Sequence, residues 1–412
     1  MRVLTVGNLY PPHHFGGYEQ VWRSAVRHLR DRGDEVHVLA TGYRHPEQPD
    51  GDEPDVFRSL RAYWRDHDFA PIGPRQRFEV ERHNHRQLAL HLEQLEPDVL
   101  SFWSMGGMSH SLIEAGRRRG LPMVAFVHDQ WLDYGRSTDQ WTRMFHLPVL
   151  RPVGRVVQAL SGLPTRVDYG AAGRYVFVSG FIRDRALALG LNLTDTAIAP
   201  SGIAPVFGAP APRREWQWRL LHVGRLHPDK GIEEAVRCLL ELPPQATLTF
   251  AGHWDPRDEM ALNGRVAELG LESRVTMLGQ LAPEDVAALY RSFDALLFPV
   301  RWDEPWGLVP LESMACGCPV IATGRGGSAE YLRDGENCLL VPAYDPPALA
   351  GAVLRLAGDA ELRDLLADGG AATASRYTEA DFNTAVQRHL SEVAGRPGLA
   401  GTAPPVVQNA VA

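Results

Sequence analysis

The chain has 412 residues, 44% hydrophobic and 22% charged, with a formal net charge of −8. That length exceeds what one hydrophobic core usually supports, so two domains of about 200 residues each are expected. Residues 1–206 hold 24 arginines against 23 acidic residues, and the remainder holds 18 basic against 27 acidic residues. Neither half is basic, which excludes a protein that grips nucleic acid mainly through phosphates. Four cysteines (Cys238, Cys316, Cys318, Cys338) are too few for a disulfide scaffold, and Cys316-Gly-Cys318 lacks metal-ligand spacing. They are expected as buried or half-buried thiols in a reducing cytoplasm. No apolar run approaches the ~20 residues that span a bilayer, and the chain starts directly on a strand. A cytoplasmic protein is expected, with docking on a membrane face left open.

In chain order, the first half alternates short apolar runs with amphipathic stretches. Strands are predicted at 3–6, 36–40, 99–103, 123–127 and 175–178. A helix from Gly17 to Arg32 is predicted from the spacing of Val21, Trp22, Ala25, Val26 and Leu29, with Gly33 at its end. The second half repeats the pattern, with strands at 220–223, 247–251, 275–278, 296–299 and 320–322. Strands alternating with helices imply a parallel sheet covered on both faces. The pattern occurs twice, so the fold class is α/β with two doubly wound, Rossmann-like domains facing a central cleft. Domain boundaries are placed at 1–207 and 208–379, joined by a Pro/Ala-rich seam at 208–215. A helix at 380–394 and a disordered tail at 395–412 complete the chain. Residues 44–94 are Arg- and His-rich and weakly periodic. Residues 129–173 are rich in aromatics, including Trp131, Tyr134, Trp141 and Phe145.

Ligands of such folds lie beyond the carboxyl ends of the strands, so the strand-to-helix junctions carry the functional signals. The first contains Gly16-Gly17, where backbone N–H groups and the helix dipole favour an anion. It lacks G-x-G-x-x-G spacing, which counts against a dinucleotide enzyme. The second, Gly224-Arg225-Leu-His-Pro-Asp-Lys230-Gly231, holds the only lysine of the chain; the other 41 basic residues are arginine. Its survival points to a need for a compact ammonium, such as a point charge on a phosphate, with chance as the plain alternative. The third runs from Phe298 through Glu304 and Gly307 to Glu312, with Pro310 in the first turn of a helix starting near Leu308. The N–H groups of Gly307, Leu308 and Val309 would face an anion there, and Glu312 could bind a diol such as a ribose. A further helix-opening glycine loop is expected at Gly324-Arg-Gly326-Gly327.

These residues carry a resemblance. Glu304-Pro-Trp-Gly-Leu-Val-Pro-Leu-Glu312, continuing through Gly317-Cys-Pro319, resembles the E-x₇-E signature of retaining GT-B glycosyltransferases of family 4. The Pro11-to-Glu19 loop, Gly224-Arg225 with Lys230-Gly231, and Val127-His128-Asp129 resemble further motifs of that family, in order along most of the chain. The match is weakest at 44–94 and 129–173. The resemblance implies an acceptor-binding first domain and a nucleotide-sugar-binding second domain, with the C-terminal helix crossing back. It implies that His128, Glu304, Arg225 and Lys230 are the catalytic set. Arg225 and Lys230 would neutralise the donor diphosphate, aided by backbone at Gly16, Gly17, Gly224, Gly307, Leu308 and Val309. Glu312 would hold the ribose, Glu304 the donor sugar, and Met277 and Leu278 would flank the base. His128 would support the charged transition state. No metal or other cofactor is implied, and the anomeric configuration would be kept. The best reading is a UDP-hexose donor with a small-molecule, glycan or lipid-linked acceptor.

His13, Trp131 and Tyr134 are the acceptor-side candidates. Packing of a helical insertion is an equal alternative for 129–173, and its apolar run 147–163 could touch lipid. Asp50-Gly-Asp52 and Asp66-His-Asp68 match the D-x-D metal motif but lie in charge-dense segments and read as solvated loop. His83, His85 and His91 complete no ligand set and read as exposed helix. The competing functions are a nucleotide-sugar epimerase or hydrolase on the same fold, and a binding module that has lost catalysis.

Overall fold

The computed structural model describes residues 1–14, 16–44, 51, 53–63, 72–208, 210 and 215–395. The first half builds a seven-stranded sheet from β1 (Arg2–Val6), β2 (Glu35–Thr41), β3 (Val56–Leu60), β4 (Val99–Phe102), β5 (Met123–Val127), β6 (Arg174–Phe177) and β7 (Asp195–Ile198). Its helices are α1 (Gly17–Asp31), α2 (Pro74–Leu95), α3 (Ser111–Arg118), α4 (Trp131–Thr138), α5 (Arg151–Ser161) and α6 (Gly180–Ala188). The second half builds a six-stranded sheet from β8 (Arg219–Val223), β9 (Thr247–Ala251), β10 (Val275–Met277), β11 (Ala295–Phe298), β12 (Val320–Ala322) and β13 (Leu339–Leu340). Around it lie α7 (Ile232–Cys238), α8 (Pro256–Glu268), α9 (Pro283–Ser292), α10 (Leu308–Ala315), α11 (Pro346–Gly358) and α12 (Ala360–Ala374). The last helix, α13 (Glu379–Val393), returns to the first half.

Strand orders are β3-β2-β1-β4-β5-β6-β7 and β10-β9-β8-β11-β12-β13, parallel throughout. Each sheet reverses its winding once, between β1 and β4 and between β8 and β11. A crevice opens at the carboxyl ends of those strands. The loops after β8 and β11 therefore meet, and they carry Lys230 and Glu304. The four central strands β4, β5, β11 and β12 are buried at every position, as expected of sheets covered on both faces.

The chain crosses between the halves twice, and the two crossings run side by side. Ile203 N–H donates to the Tyr377 carbonyl at 2.9 Å, and Glu379 N–H donates to the Ile203 carbonyl at 3.0 Å. Gly202 makes this approach possible, because a Cβ there would lie 2.0 Å from the Thr378 carbonyl. Helix α13 then packs Phe382, Val386 and Leu390 into the core of the first sheet. Asn383 Nδ2 reaches Ser24 Oγ on α1 at 2.8 Å.

Two expectations are corrected. The weakly periodic stretch 44–94 holds the long helix α2 and the edge strand β3. The buried face of α2 includes Glu81, Asn84 and His91 among Val80, Leu88, Leu92 and Leu95, which masks its apolar period. His91 is buried, while His83 and His85 are partly buried and pair with the Ser59 carbonyl and Ser111 Oγ, so these histidines do not face solvent. The two D-x-D segments lie outside the described residues, as do most of 208–215 and all of the tail beyond Gly395. All four cysteines are buried, and none forms a disulfide.

The crossing makes a stability prediction with an internal control. Gly202→Ala must push the two crossings apart and lower the thermal midpoint. Gly264→Ala on exposed α8 meets nothing within 4 Å and should stabilise by roughly 0.5–1 kcal/mol. A Gly202→Ala variant as stable as wild type would contradict the close approach.

Candidate active site

The cleft is built where the loops after β1, β5, β8 and β11 converge. On the second-domain side, the Lys230 ammonium donates to Glu304 Oε2 at 2.7 Å, and both side chains are mostly buried. Trp302 Nε1–H donates to the same oxygen at 2.8 Å, and the Lys230 ammonium stands 4.8 Å from the Trp302 ring centre. Buried His222 on β8 fixes the lysine loop by donating a ring N–H to the Lys230 carbonyl at 3.0 Å. Burial pulls the His222 ring down to about 4, so it is neutral at physiological pH. Gly231, at φ 72°, lies so close to the Pro299 carbonyl that a Cβ would sit 1.9 Å from it. The loops carrying Lys230 and Glu304 are thereby locked together.

Gly307, at φ 87°, caps α10 and leaves its first N–H groups without a side-chain cap. Tyr331 Oη donates to the Gly307 carbonyl at 2.5 Å and steadies the turn. One turn on, Glu312 accepts from Tyr290 Oη at 3.1 Å, and burial raises its carboxyl to about 7. Gly224 and Gly252 meet at the ends of β8 and β9, where a Cβ on Gly252 would lie 2.0 Å from the Gly224 carbonyl. Beside them Met277 ends β10 and Leu278 is partly exposed, giving an apolar wall at the edge of the sheet. The glycines at 324–327 open only a short 3₁₀ helix, Gly327–Glu330, and no α-helix. Gly327 N–H donates to the Glu304 carbonyl at 2.7 Å. That loop clamps the backbone of Glu304.

On the first-domain side, Gly16 and Gly17 open α1. Gly17 faces Leu308 across the cleft, with a Cβ there only 3.8 Å from Leu308 Cδ1. Gly16 N–H donates to Glu19 Oε2 at 3.2 Å, so that N–H is already engaged. Burial raises the Glu19 carboxyl to about 7; Asp129 adds to the rise and Arg225 from the other domain opposes it. Arg225 is exposed at the cleft. Asp129 is itself raised to about 6 by burial and accepts from Tyr134 Oη at 2.8 Å.

His128 lies buried at the end of β5, stacked on Tyr18 with ring centres 4.9 Å apart and edge-on to Phe382 of α13. Its Nδ1 is 3.0 Å from Ser201 Oγ, and Nε2 has no partner. Burial pulls the ring down to about 3, so it stays neutral. The Ser201 carbonyl in turn accepts from Trp306 Nε1 at 3.0 Å. This chain links His128 to the Glu304-Pro-Trp-Gly loop of the other domain.

Of the predicted donor-side residues, Lys230 and Glu304 are in contact and Gly17 lies beside Leu308, whereas two acceptor-side candidates are buried. His13 is fully buried, with Nε2 held by Arg44 at 3.0 Å. Trp131 is fully buried and packs edge-on against His110, so it is core packing and not a stacking platform. Tyr134 keeps an exposed edge. Sequence reasoning did not single out Trp302, Trp306, Ser201, Tyr18 or Glu19. Trp302 and Trp306 flank Glu304 within the quoted stretch, but nothing local distinguishes a site indole from a core one. Among the described residues no cluster of His, Cys, Asp and Glu is arranged to hold a metal ion.

Two Rossmann-like sheets with this cleft between them define the GT-B glycosyltransferase fold. Sucrose-phosphate synthase from Thermosynechococcus elongatus superposes with a TM-score of 0.70 at 22% identity, over 94% of this chain and 97% of that one. Anabaena HepE, solved in complex with UDP and glucose, superposes with a TM-score of 0.67 at 19% identity, over 95% and 99%. Residues 15–206 match the model of Glycosyltransferase Family 4, and residues 209–372 that of Glycosyl transferases group 1. The chain belongs to the family 4 glycosyltransferases. D-inositol 3-phosphate glycosyltransferase of Acidothermus cellulolyticus is 37% identical over 169 residues, 38% of this chain and 37% of that protein. The matched stretch spans only 35% to 42% of the length of the relatives of that name.

The raised Glu312 carboxyl predicts a pH dependence. Its folded value of about 7 exceeds the ordinary 4.5. The stability it contributes is therefore full below about pH 4.5 and is lost as pH rises through 7. Without nucleotide, Glu312→Gln should gain thermal stability relative to wild type between about pH 5 and 8. A difference that does not change with pH would contradict the buried placement.

Proposed function

We propose that this chain is a retaining glycosyltransferase that moves a hexosyl group from a nucleoside-diphosphate sugar, best a UDP-hexose, to an acceptor hydroxyl. The observation that carries this reading is the Lys230–Glu304 pair, whose glutamate stands on the loop leading into the uncapped start of α10, with Arg225 acting on Glu19 of α1 from the same domain as the pair. A leaving diphosphate needs a preorganised positive field. Lys230, Arg225 and the free N–H groups at Gly307, Leu308 and Val309 supply one. A diphosphate would take the lysine from Glu304 and release that carboxylate toward the sugar hydroxyls. Glu312 accepts from the ribose, and Met277 and Leu278 flank the base.

Neutral His128 presents its unpartnered Nε2 as a hydrogen-bonding group near the transferred sugar without adding a charge that would repel an oxocarbenium-like centre. The buried carboxyls of Glu19 and Asp129 lie on the same side and favour that centre when ionised. Retention follows from attack on the face the diphosphate leaves, with a phosphate oxygen taking the acceptor proton. The two cationic side chains do the work of a divalent ion, so no cofactor is required in this reading. The Anabaena neighbour that holds UDP and glucose on the same fold is the basis for preferring uridine.

The test is a thermal-shift series with UDP, GDP, ADP and dTDP, with and without a chelator. A nucleotide at about 100 times its Kd stabilises by ~2.7 kcal/mol, and the shift should survive chelation. No shift with any of the four would contradict the donor site. Lys230→Ala should lower turnover by about 100-fold or more while the circular-dichroism spectrum is kept. Wild-type turnover in that variant would remove the phosphate role. Release of free sugar in place of a glycosylated acceptor would favour the hydrolase or epimerase reading.

A further inference from the structure

We propose that the outer face of α5 docks on an anionic lipid bilayer. Helix α5 and the turn before it place Val149, Val153, Val156 and Leu160 on one stripe, at the spacing of a single helix face. That face points away from the protein: Leu160 is 85% exposed, Val149 76%, and Leu147 60%. Isolated exposed apolar residues are ordinary, but a contiguous stripe on one amphipathic helix marks a surface that something covers. The opposite side of α5 is fixed. Only Gly154 is fully buried on the helix, and a Cβ there would lie 3.0 Å from the Phe145 ring and 3.1 Å from Thr165 Oγ1. Thr165 Oγ1 also donates to the Gly154 carbonyl at 3.2 Å. The helix therefore cannot roll to hide its valines and leucine.

Charge decides the occupant. From residue 140 to residue 167 the chain has no Asp or Glu and carries Arg143, Arg151, Arg155 and Arg166, within a protein of net charge −8. Arg151 and Arg155 are exposed one helical turn apart on the same helix, on a flank away from the apolar stripe. An apolar stripe on a helix whose exposed polar flank carries arginines and no acid is the pattern of a helix lying in the plane of a bilayer whose headgroups are anionic. A second copy of the chain fits less well, since a two-fold contact through this face brings like charges together. No described helix is long and apolar enough to cross a membrane, so the contact would be peripheral.

The test is co-sedimentation of the full chain with vesicles of phosphatidylcholine alone and of phosphatidylcholine mixed with phosphatidylglycerol, without nucleotide. Wild type should pellet with the mixed vesicles, much less with phosphatidylcholine, and lose binding as salt rises. The double variant V156E/L160E should weaken binding to mixed vesicles by about tenfold or more, and R151Q/R155Q should weaken it specifically on anionic vesicles. Unchanged binding in V156E/L160E, or no pelleting of wild type with mixed vesicles, would overturn the proposal. A dimer in light scattering that V156E/L160E dissolves would assign the face to a second copy. Both variants should keep the nucleotide-induced thermal shift of wild type, a readout that fails separately if the donor reading is at fault.

Discussion

The ion pair between Lys230 and Glu304 is the contact on which the site depends. Bringing two charges out of water is costly, and a buried pair of this kind is weak evidence of added stability. Here the pair is surrounded by features that hold it open to one side. Trp302 lies against the ammonium and donates to the same carboxylate oxygen. His222 holds the lysine backbone, and Gly327 holds the glutamate backbone. The open side faces the start of α10 and the first domain. At the centre of this arrangement stands the only lysine of the chain.

The first domain is tied to that pair by packing as well as by charge. Ser201 touches His128 with its hydroxyl and Trp306 with its carbonyl. Ser179 Oγ donates to the Pro305 carbonyl at 2.7 Å, and Phe181 N–H donates to Glu330 at 2.7 Å. Each of these partners lies on or beside the loop that carries Glu304. Phe382 brings α13 into contact with the same histidine. The two paired crossings at Ile203 and Tyr377 make the natural axis for any relative motion of the domains, since both chain connections pass through them.

Much of this was legible in the sequence, and the parts that were not share a physical reason. The central strands were readable because burial on both faces makes them unbroken apolar runs; 123–127, 247–251 and 320–322 match β5, β9 and β12 to the residue. Of the four edge strands, β3, β7 and β13 were missed, being short and half exposed, while the equally short β10 was predicted within 275–278. The buried face of α2 escaped, although its histidines were read as helical, because it holds a polar network in which Glu81 accepts from Ser111 Oγ at 2.5 Å and from Tyr63 Oη, against the rule that buried faces are apolar. At the site, Lys230, Glu304, Gly307 and Glu312 stood out because glycines and charges at strand ends have few structural uses. His13 and Trp131 misled because a histidine or an indole next to a cleft motif reads the same whether it faces in or out. Only the packing around them, with Arg44 on one and His110 on the other, decides.

The central claim is that the cleft receives a diphosphate on Lys230, Arg225 and the first N–H groups of α10, without a metal ion. A crystal structure with the bound nucleoside-diphosphate sugar, grown in the presence of a chelator, tests it most directly. The account predicts phosphate oxygens within hydrogen-bonding distance of the Lys230 ammonium and the N–H groups of Leu308 and Val309, with the Lys230–Glu304 contact lengthened and Glu304 turned to the sugar. A diphosphate bound elsewhere, or a Lys230–Glu304 pair unchanged at 2.7 Å beside a bound donor, would contradict it.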